Sequence, residues 1–161
     1  MRGRGLAAAL DAVAGEVALE GASHGPVGVC GVGIDAVDLE RFRAVLARRH
    51  GMADRLFTDA ERTYAGRAAD PVPRLATRFA AKEAVLKALG AGLGSFRFAE
   101  VGVVRRGLDA PFLVLDGSAA RLAERAGVAR WHLSLTHTDL VAVAVVIAVG
   151  GGGAVELPPA P

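Results

Sequence analysis

The chain is short of cysteine, of aromatic residues and of net charge. Cys30 is its only cysteine, so no intrachain disulfide can form, as expected of a reducing compartment such as the cytoplasm. Taken alone, Cys30 reads as a small buried hydrophobe. Lysine and arginine number 19 against 17 aspartates and glutamates, a formal charge of +2. That balance is not the footprint of a nucleic-acid binder, so a preference for a charged partner must come from where the basic residues sit. No apolar run reaches the roughly 18–20 residues of a membrane-spanning helix. The longest, Leu140 to Val149, is β-branched and reads as a buried strand. Asp11 interrupts the apolar run after Arg2 and Arg4 too early for a secretory signal. The glycines between Gly28 and Gly33 lack the spacing of a dinucleotide-binding loop, and no strand pattern precedes them.

What is present is 52% hydrophobic and 22% charged residues over 161 positions, enough for one domain with a real core. Residues 1–27 read as an N-terminal extension, broken between Gly21 and Pro26. Residues 28–149 read as the domain, and 150–161 as a Gly- and Pro-rich tail. Val27 to Asp35 is β-branched and predicts a strand. Asp38 to His50 predicts a helix with Leu39, Phe42, Val45 and Leu46 on its apolar face; Arg41, Arg43, Arg48 and Arg49 are its basic residues. That basic surface is either a solvated face or a docking surface for an acidic partner. Thr58 and Glu61 fit a capping box, which gives Glu61 a structural role. Asp70 to Arg74 predicts a turn. Later strands are expected at Val101–Arg105, Phe112–Leu115, Trp131–Thr136 and Val141–Val149, with Ser118 capping a helix over Ala119–Ala126.

The most informative stretch is Arg78 to Gly90, built from strong helix formers with a glycine stop. At 3.6 residues per turn, Ala81, Val85, Ala88 and Leu89 share an apolar face with Ala84 at its edge. Arg78 and Lys82 fall on one flank, and Glu83 and Lys87 on the other. Phe79 and Leu86 lie between the charged pairs, so the polar side is not simply a wet face. Locally, Glu83 and Lys87 are either an exposed helix pair or part of a site. Asp35 is either a cap or turn residue or a functional carboxylate, and His137 is either a turn histidine or a site residue.

Three separated pieces stand together: Gly33-Ile34-Asp35, the helix Arg78-Phe79-Ala80-Ala81-Lys82-Glu83-Ala84-Val85-Leu86-Lys87-Ala88, and Ser134-Leu135-Thr136-His137. Two carboxylates beside phosphate-binding cations suit a Mg²⁺ ion that keeps waters and shares phosphate oxygens. In order and spacing these pieces resemble the phosphopantetheinyl transferases, most closely the small holo-acyl-carrier-protein synthase type. The resemblance runs from about Val29 to Val149 and includes Leu56-Phe57-Thr58 and Glu61.

The resemblance implies transfer of the phosphopantetheine arm of coenzyme A to a serine of an apo acyl carrier protein, releasing adenosine 3',5'-bisphosphate and requiring Mg²⁺. It implies Asp35 and Glu83 as metal ligands, with Asp35, Glu83 and Lys87 as the catalytic set. Arg78, Lys82, Lys87, Thr136 and His137 are implied as coenzyme A contacts, and Arg41 and Arg48 as carrier-protein docking residues. The base for the serine is either Glu83 or a metal-bound water oriented by Asp35. The implied fold is α+β, a small antiparallel sheet packed by helices in a single domain, assembled as a homotrimer with sites between subunits. A non-catalytic coenzyme A or carrier-protein binding module would be expected to have lost Asp35 or Glu83, and both are present. The larger two-lobed, broader-specificity transferases are roughly twice as long, whereas one copy of the motif set stands here.

Overall fold

The computed structural model describes residues 28–151. The expected N-terminal extension, and the tail beyond Gly151, lie outside the described residues. The chain runs β1 (Val29–Asp38), α1 (Leu39–Arg48), α2 (Met52–Leu56), α3 (Asp59–Ala65) and α4 (Val72–Ala88). A 3-10 turn (Phe98–Glu100) then leads into β2 (Val101–Val104), β3 (Phe112–Leu115), α5 (Gly117–Arg125), β4 (Val128–His137) and β5 (Val141–Gly150). The expected mixture of helices and antiparallel strands is found, with two small sheets where one was expected. One has the order β1-β5-β4, and the other is the pair β2-β3.

Helix α4 lies against β1 and β5. The β5 residues facing it are Ala142, Ala144, Val146 and Ala148, all fully buried, as are Ala80, Ala81, Ala84 and Val85 of the helix. Small side chains on both surfaces let the backbones approach. On β1 the approach is closer still: a Cβ on Gly31 would lie 1.9 Å from the Ala88 carbonyl oxygen, and one on Gly33 1.8 Å from that of Ala84. Both distances are far inside van der Waals contact, so only glycine fits at either position. The other face of the sheet is bare in this chain. Val32 is 60% and Ile34 58% exposed, and their register partners Ile147 and Val145 are half-buried.

Several boundaries differ from the sequence reading for local reasons. Strand β1 continues to Asp38, so Asp35 neither ends it nor caps the next helix. Asp38 is the cap, accepting from the Arg41 amide at 2.8 Å. Helix α4 begins at Val72, inside the expected turn. Pro73 sits in its first turn, where a backbone N–H has no partner to lose, and Asp70 accepts from the Val72 amide at 3.0 Å. Asp116 rather than Ser118 caps α5, accepting from the Gly117 amide at 2.6 Å. The Ser118 hydroxyl instead donates to Glu100.

Candidate functional site

The close packing of α4 on Gly31 and Gly33 decides what meets Asp35. Side chains alternate along a strand, so Asp35 projects from the same side of β1 as those two glycines, toward α4. Lys87, one turn beyond Glu83, donates to the Asp35 carboxylate at 2.8 Å and to the Ile34 carbonyl at 2.9 Å. The ammonium is half exposed while Asp35 is mostly covered, an arrangement that leaves the lysine free to reach a ligand.

Glu83 and Asp35 line one pocket of about 410 Å³ between α1 and α4, together with Arg41 and an apolar wall of Phe42, Met52 and Phe79. Partial burial pushes the Glu83 carboxyl above its usual range, and the neighbouring Asp35 charge pushes the same way against the pull of Lys87. Two carboxylates that repel each other in one pocket are what a cation would relieve. Among the described residues no group of three or more His, Cys, Asp or Glu is arranged for a metal. The chain therefore offers two oxygen donors, which fits a Mg²⁺ ion completed by water and phosphate and does not fit a fully protein-ligated site.

Lys82 is not where the sequence suggested. It is 0% exposed. Its ammonium donates to Glu61 at 2.9 Å, to the Phe98 carbonyl at 2.9 Å and to the Val101 carbonyl. All three protons are used inside the protein, so none is left for a phosphate, and the expected contact with coenzyme A is corrected. Burial lowers the Lys82 pKa and the Glu61 charge opposes it. Truncating either partner leaves a buried charge alone, at a cost of about 3–5 kcal/mol. Glu61, read from the sequence as a cap, does form the capping box with Thr58. Its pairing with Lys82 across 21 residues is tertiary and has no local signature.

Arg78 shares the Lys82 flank. It is 4% exposed, its guanidinium carbon lies 4.3 Å from the Tyr64 ring centroid, and it donates to the Arg74 carbonyl at 2.9 Å. Arg74 lies over the same ring at 4.7 Å. Burial lowers the Arg78 pKa, and its Nε has no hydrogen-bond partner. Within one chain Arg78 is thus on the side of α4 away from Asp35.

His137 and Thr136 are also separated from the carboxylates. They lie on β4, across β5 from β1: His137 pairs with Ala142 and Thr136 with Val143, which pair in turn with Val37 and Ala36. Two strand spacings put them on the order of 9–10 Å from β1. His137 falls on the helix side of the sheet, and Thr136 on the bare side. On α1, Arg43 is tied to Asp70 by contacts of 3.1 and 2.7 Å, which removes it from the basic surface. Arg41 and Arg48 remain exposed.

The sequence reading missed the pocket wall. Phe79, an apolar residue among charges, is the available signal. Met52 lies on a short helix that no periodicity announced.

A family model described as the 4'-phosphopantetheinyl transferase superfamily matches residues 31–146. A holo-[acyl-carrier-protein] synthase of Frankia alni is 50% identical over 121 residues, 74% of this chain and 97% of that protein. The crystal structure of a holo-[acyl-carrier-protein] synthase from Neisseria meningitidis superposes with a TM-score of 0.69 at 32% identity, covering 75% of this chain and 98% of that one. One from Bacillus anthracis, in complex with coenzyme A, superposes with a TM-score of 0.64 at 29% identity, covering 78% and 99%.

Proposed function

This chain belongs to the 4'-phosphopantetheinyl transferase superfamily, and from that premise we propose that it is an enzyme that moves the phosphopantetheine arm of coenzyme A onto a serine of an apo acyl carrier protein. Adenosine 3',5'-bisphosphate is the product released. The observation that carries this reading is the meeting of Asp35 and Glu83 at one pocket, with Lys87 bonded to Asp35. Asp35 and Glu83 would hold a Mg²⁺ ion, whose charge would offset that developing on the pyrophosphate as the serine attacks. Lys87, half exposed beside Asp35, would contact a phosphate oxygen of coenzyme A. Either Glu83 or a water oriented by Asp35 would accept the serine proton.

Phe42, Met52 and Phe79 give the pocket an apolar wall, and the exposed Arg41 would meet an acidic carrier. We assign Arg78, Thr136 and His137 to coenzyme A contacts completed between subunits of a homotrimer. Two observations favour assembly. These residues are separated from the carboxylates within one chain, and the outer face of β1 and β5 is apolar and uncovered. The single cysteine and the absence among the described residues of a helix fit to cross a membrane are compatible with a cytoplasmic enzyme.

The test is incubation with coenzyme A, Mg²⁺ and a panel of apo carrier proteins, with mass detection. The expected result is a gain of one phosphopantetheine on the carrier serine. No gain on any carrier, with coenzyme A bound but intact, would favour a binding module.

A further inference from the structure

Lys82 and Glu83 are neighbours in sequence and project to opposite flanks of α4. The Glu83 flank faces β1 across glycine and alanine surfaces. Those surfaces set how close the helix comes, and Lys87 ties this flank to β1 through the Ile34 carbonyl and the Asp35 carboxylate, the second of which is a contact that the proposed cation would take over. The Lys82 flank is different. Lys82 reaches Glu61 on α3, the Phe98 carbonyl in the 3-10 turn and the Val101 carbonyl on β2. Glu61 is fixed in its turn by the Thr58 amide at 2.9 Å, the Thr58 hydroxyl at 3.2 Å and the Val103 amide at 2.9 Å. These are charge-assisted, directional bonds to three elements, made one residue away from a carboxylate that must point at Asp35. A rotation of 10° moves a group about 5–6 Å from the helix axis by about 1 Å, and an error of that size is enough to cost about 100-fold in rate.

We propose that Glu61 and Lys82 form a positioning couple that sets the rotation of α4 and so aims Glu83 at Asp35. Neither residue touches substrate. The proposal rests on the reading of Asp35 and Glu83 as joint ligands of a divalent cation. It gives Lys82 a function other than phosphate contact, and Glu61 one beyond helix capping.

The experiment compares wild type with the double variant Glu61→Gln/Lys82→Met, which removes both charges together and leaves none uncompensated. A buried pair replaced in this way often keeps its stability. Thermal unfolding, kcat, the KM for coenzyme A and Mn²⁺ binding by electron paramagnetic resonance are measured on each. The expected result is a Tm within about 3 °C of wild type, kcat and Mn²⁺ affinity each reduced by at least about tenfold, and a KM for coenzyme A changed less than about twofold. Wild-type kcat and Mn²⁺ affinity in a stable double variant would reduce the pair to a structural feature and overturn the proposal. A rise in the KM for coenzyme A alone would return Lys82 to the phosphates and overturn it as well. If the double variant does not fold, Glu61→Asp keeps both charges and shortens the tether by one methylene. It should show the same loss of kcat, and full activity there counts against the proposal. If wild type itself neither binds Mn²⁺ nor transfers, the reading of the site has failed separately. The couple is then judged by a crystal structure of the same variant, where an unmoved Glu83 overturns it.

Discussion

At the scale of single residues, α1 shows how placement outweighs total charge. The chain carries only +2, yet the exposed Arg41 lines the pocket that holds both carboxylates. Arg43, two residues on, is neutralised by Asp70. An acidic carrier approaching the pocket would therefore meet Arg41 first, with Arg48 a further two turns along the helix. Arg41→Glu should raise the KM for the carrier by at least about tenfold, because juxtaposed like charges cost more than about 1.4 kcal/mol. The KM for coenzyme A should hardly move, and added salt should narrow the gap between variant and wild type. Steady-state kinetics at two ionic strengths checks this; a carrier KM indifferent to both changes would remove Arg41 from the docking surface.

At the scale of elements, the strand–helix contact is the device that builds the site. Gly33 carries no side chain because the Ala84 carbonyl occupies the space. Gly33→Ala must therefore push α4 outward, destabilising the fold by about 1–3 kcal/mol and separating Glu83 from Asp35. The measurable outcome is a lower denaturation midpoint together with a larger loss of kcat than a global stability change explains.

A second joint links the 3-10 turn to α5. Glu100 accepts from the Ser118 amide at 2.9 Å and from the Ala119 amide at 3.2 Å, as well as from the Ser118 hydroxyl. The Ser118 hydroxyl, then Arg97, then these amides hold its pKa down to about 2, below an ordinary 4.5. A carboxyl with a depressed native pKa stabilises the fold above its unfolded value, and that contribution is lost as pH falls through the native one. Glu100→Gln should lower Tm at neutral pH, with the difference closing between pH 4.5 and about 2. A constant difference across that window would mean that the carboxylate charge contributes nothing.

The elements differ in how much of this their sequences announce. The α4 motif, the β4 alternation, the continuous apolar run of β5 and the Thr58–Glu61 capping box are local, so periodicity, composition and cap chemistry reveal them. The partner of Lys82 was not legible, because a lysine at a helical flank position reads as exposed unless the acid 21 residues earlier is known to lie opposite. Asp35 reads from the sequence as lying at a strand end, whereas β1 continues through Ala36 and Val37 to Asp38 without any breaker.

At the scale of the whole molecule, the outer face of β1 and β5 is an apolar surface that one chain leaves uncovered. Val32 and Ile34 are exposed there, on the strand that carries Asp35. In the proposed homotrimer this face is buried, and a neighbouring subunit supplies the coenzyme A contacts that one chain separates. Light scattering should report three chains per particle. Ile34→Glu should shift the mass toward a monomer and abolish transfer while Asp35 and Glu83 remain intact; a fully active monomer would exclude a shared site. The most direct test of the assignment of chemistry to Asp35 and Glu83 is the initial rate of phosphopantetheine transfer against Mg²⁺ concentration, for wild type, Asp35→Ala and Glu83→Ala. Wild type should show saturable dependence on the metal, and each variant should lose transfer at every concentration while retaining a folded spectrum. Near wild-type turnover by either variant at saturating Mg²⁺ would contradict the role assigned to that carboxylate.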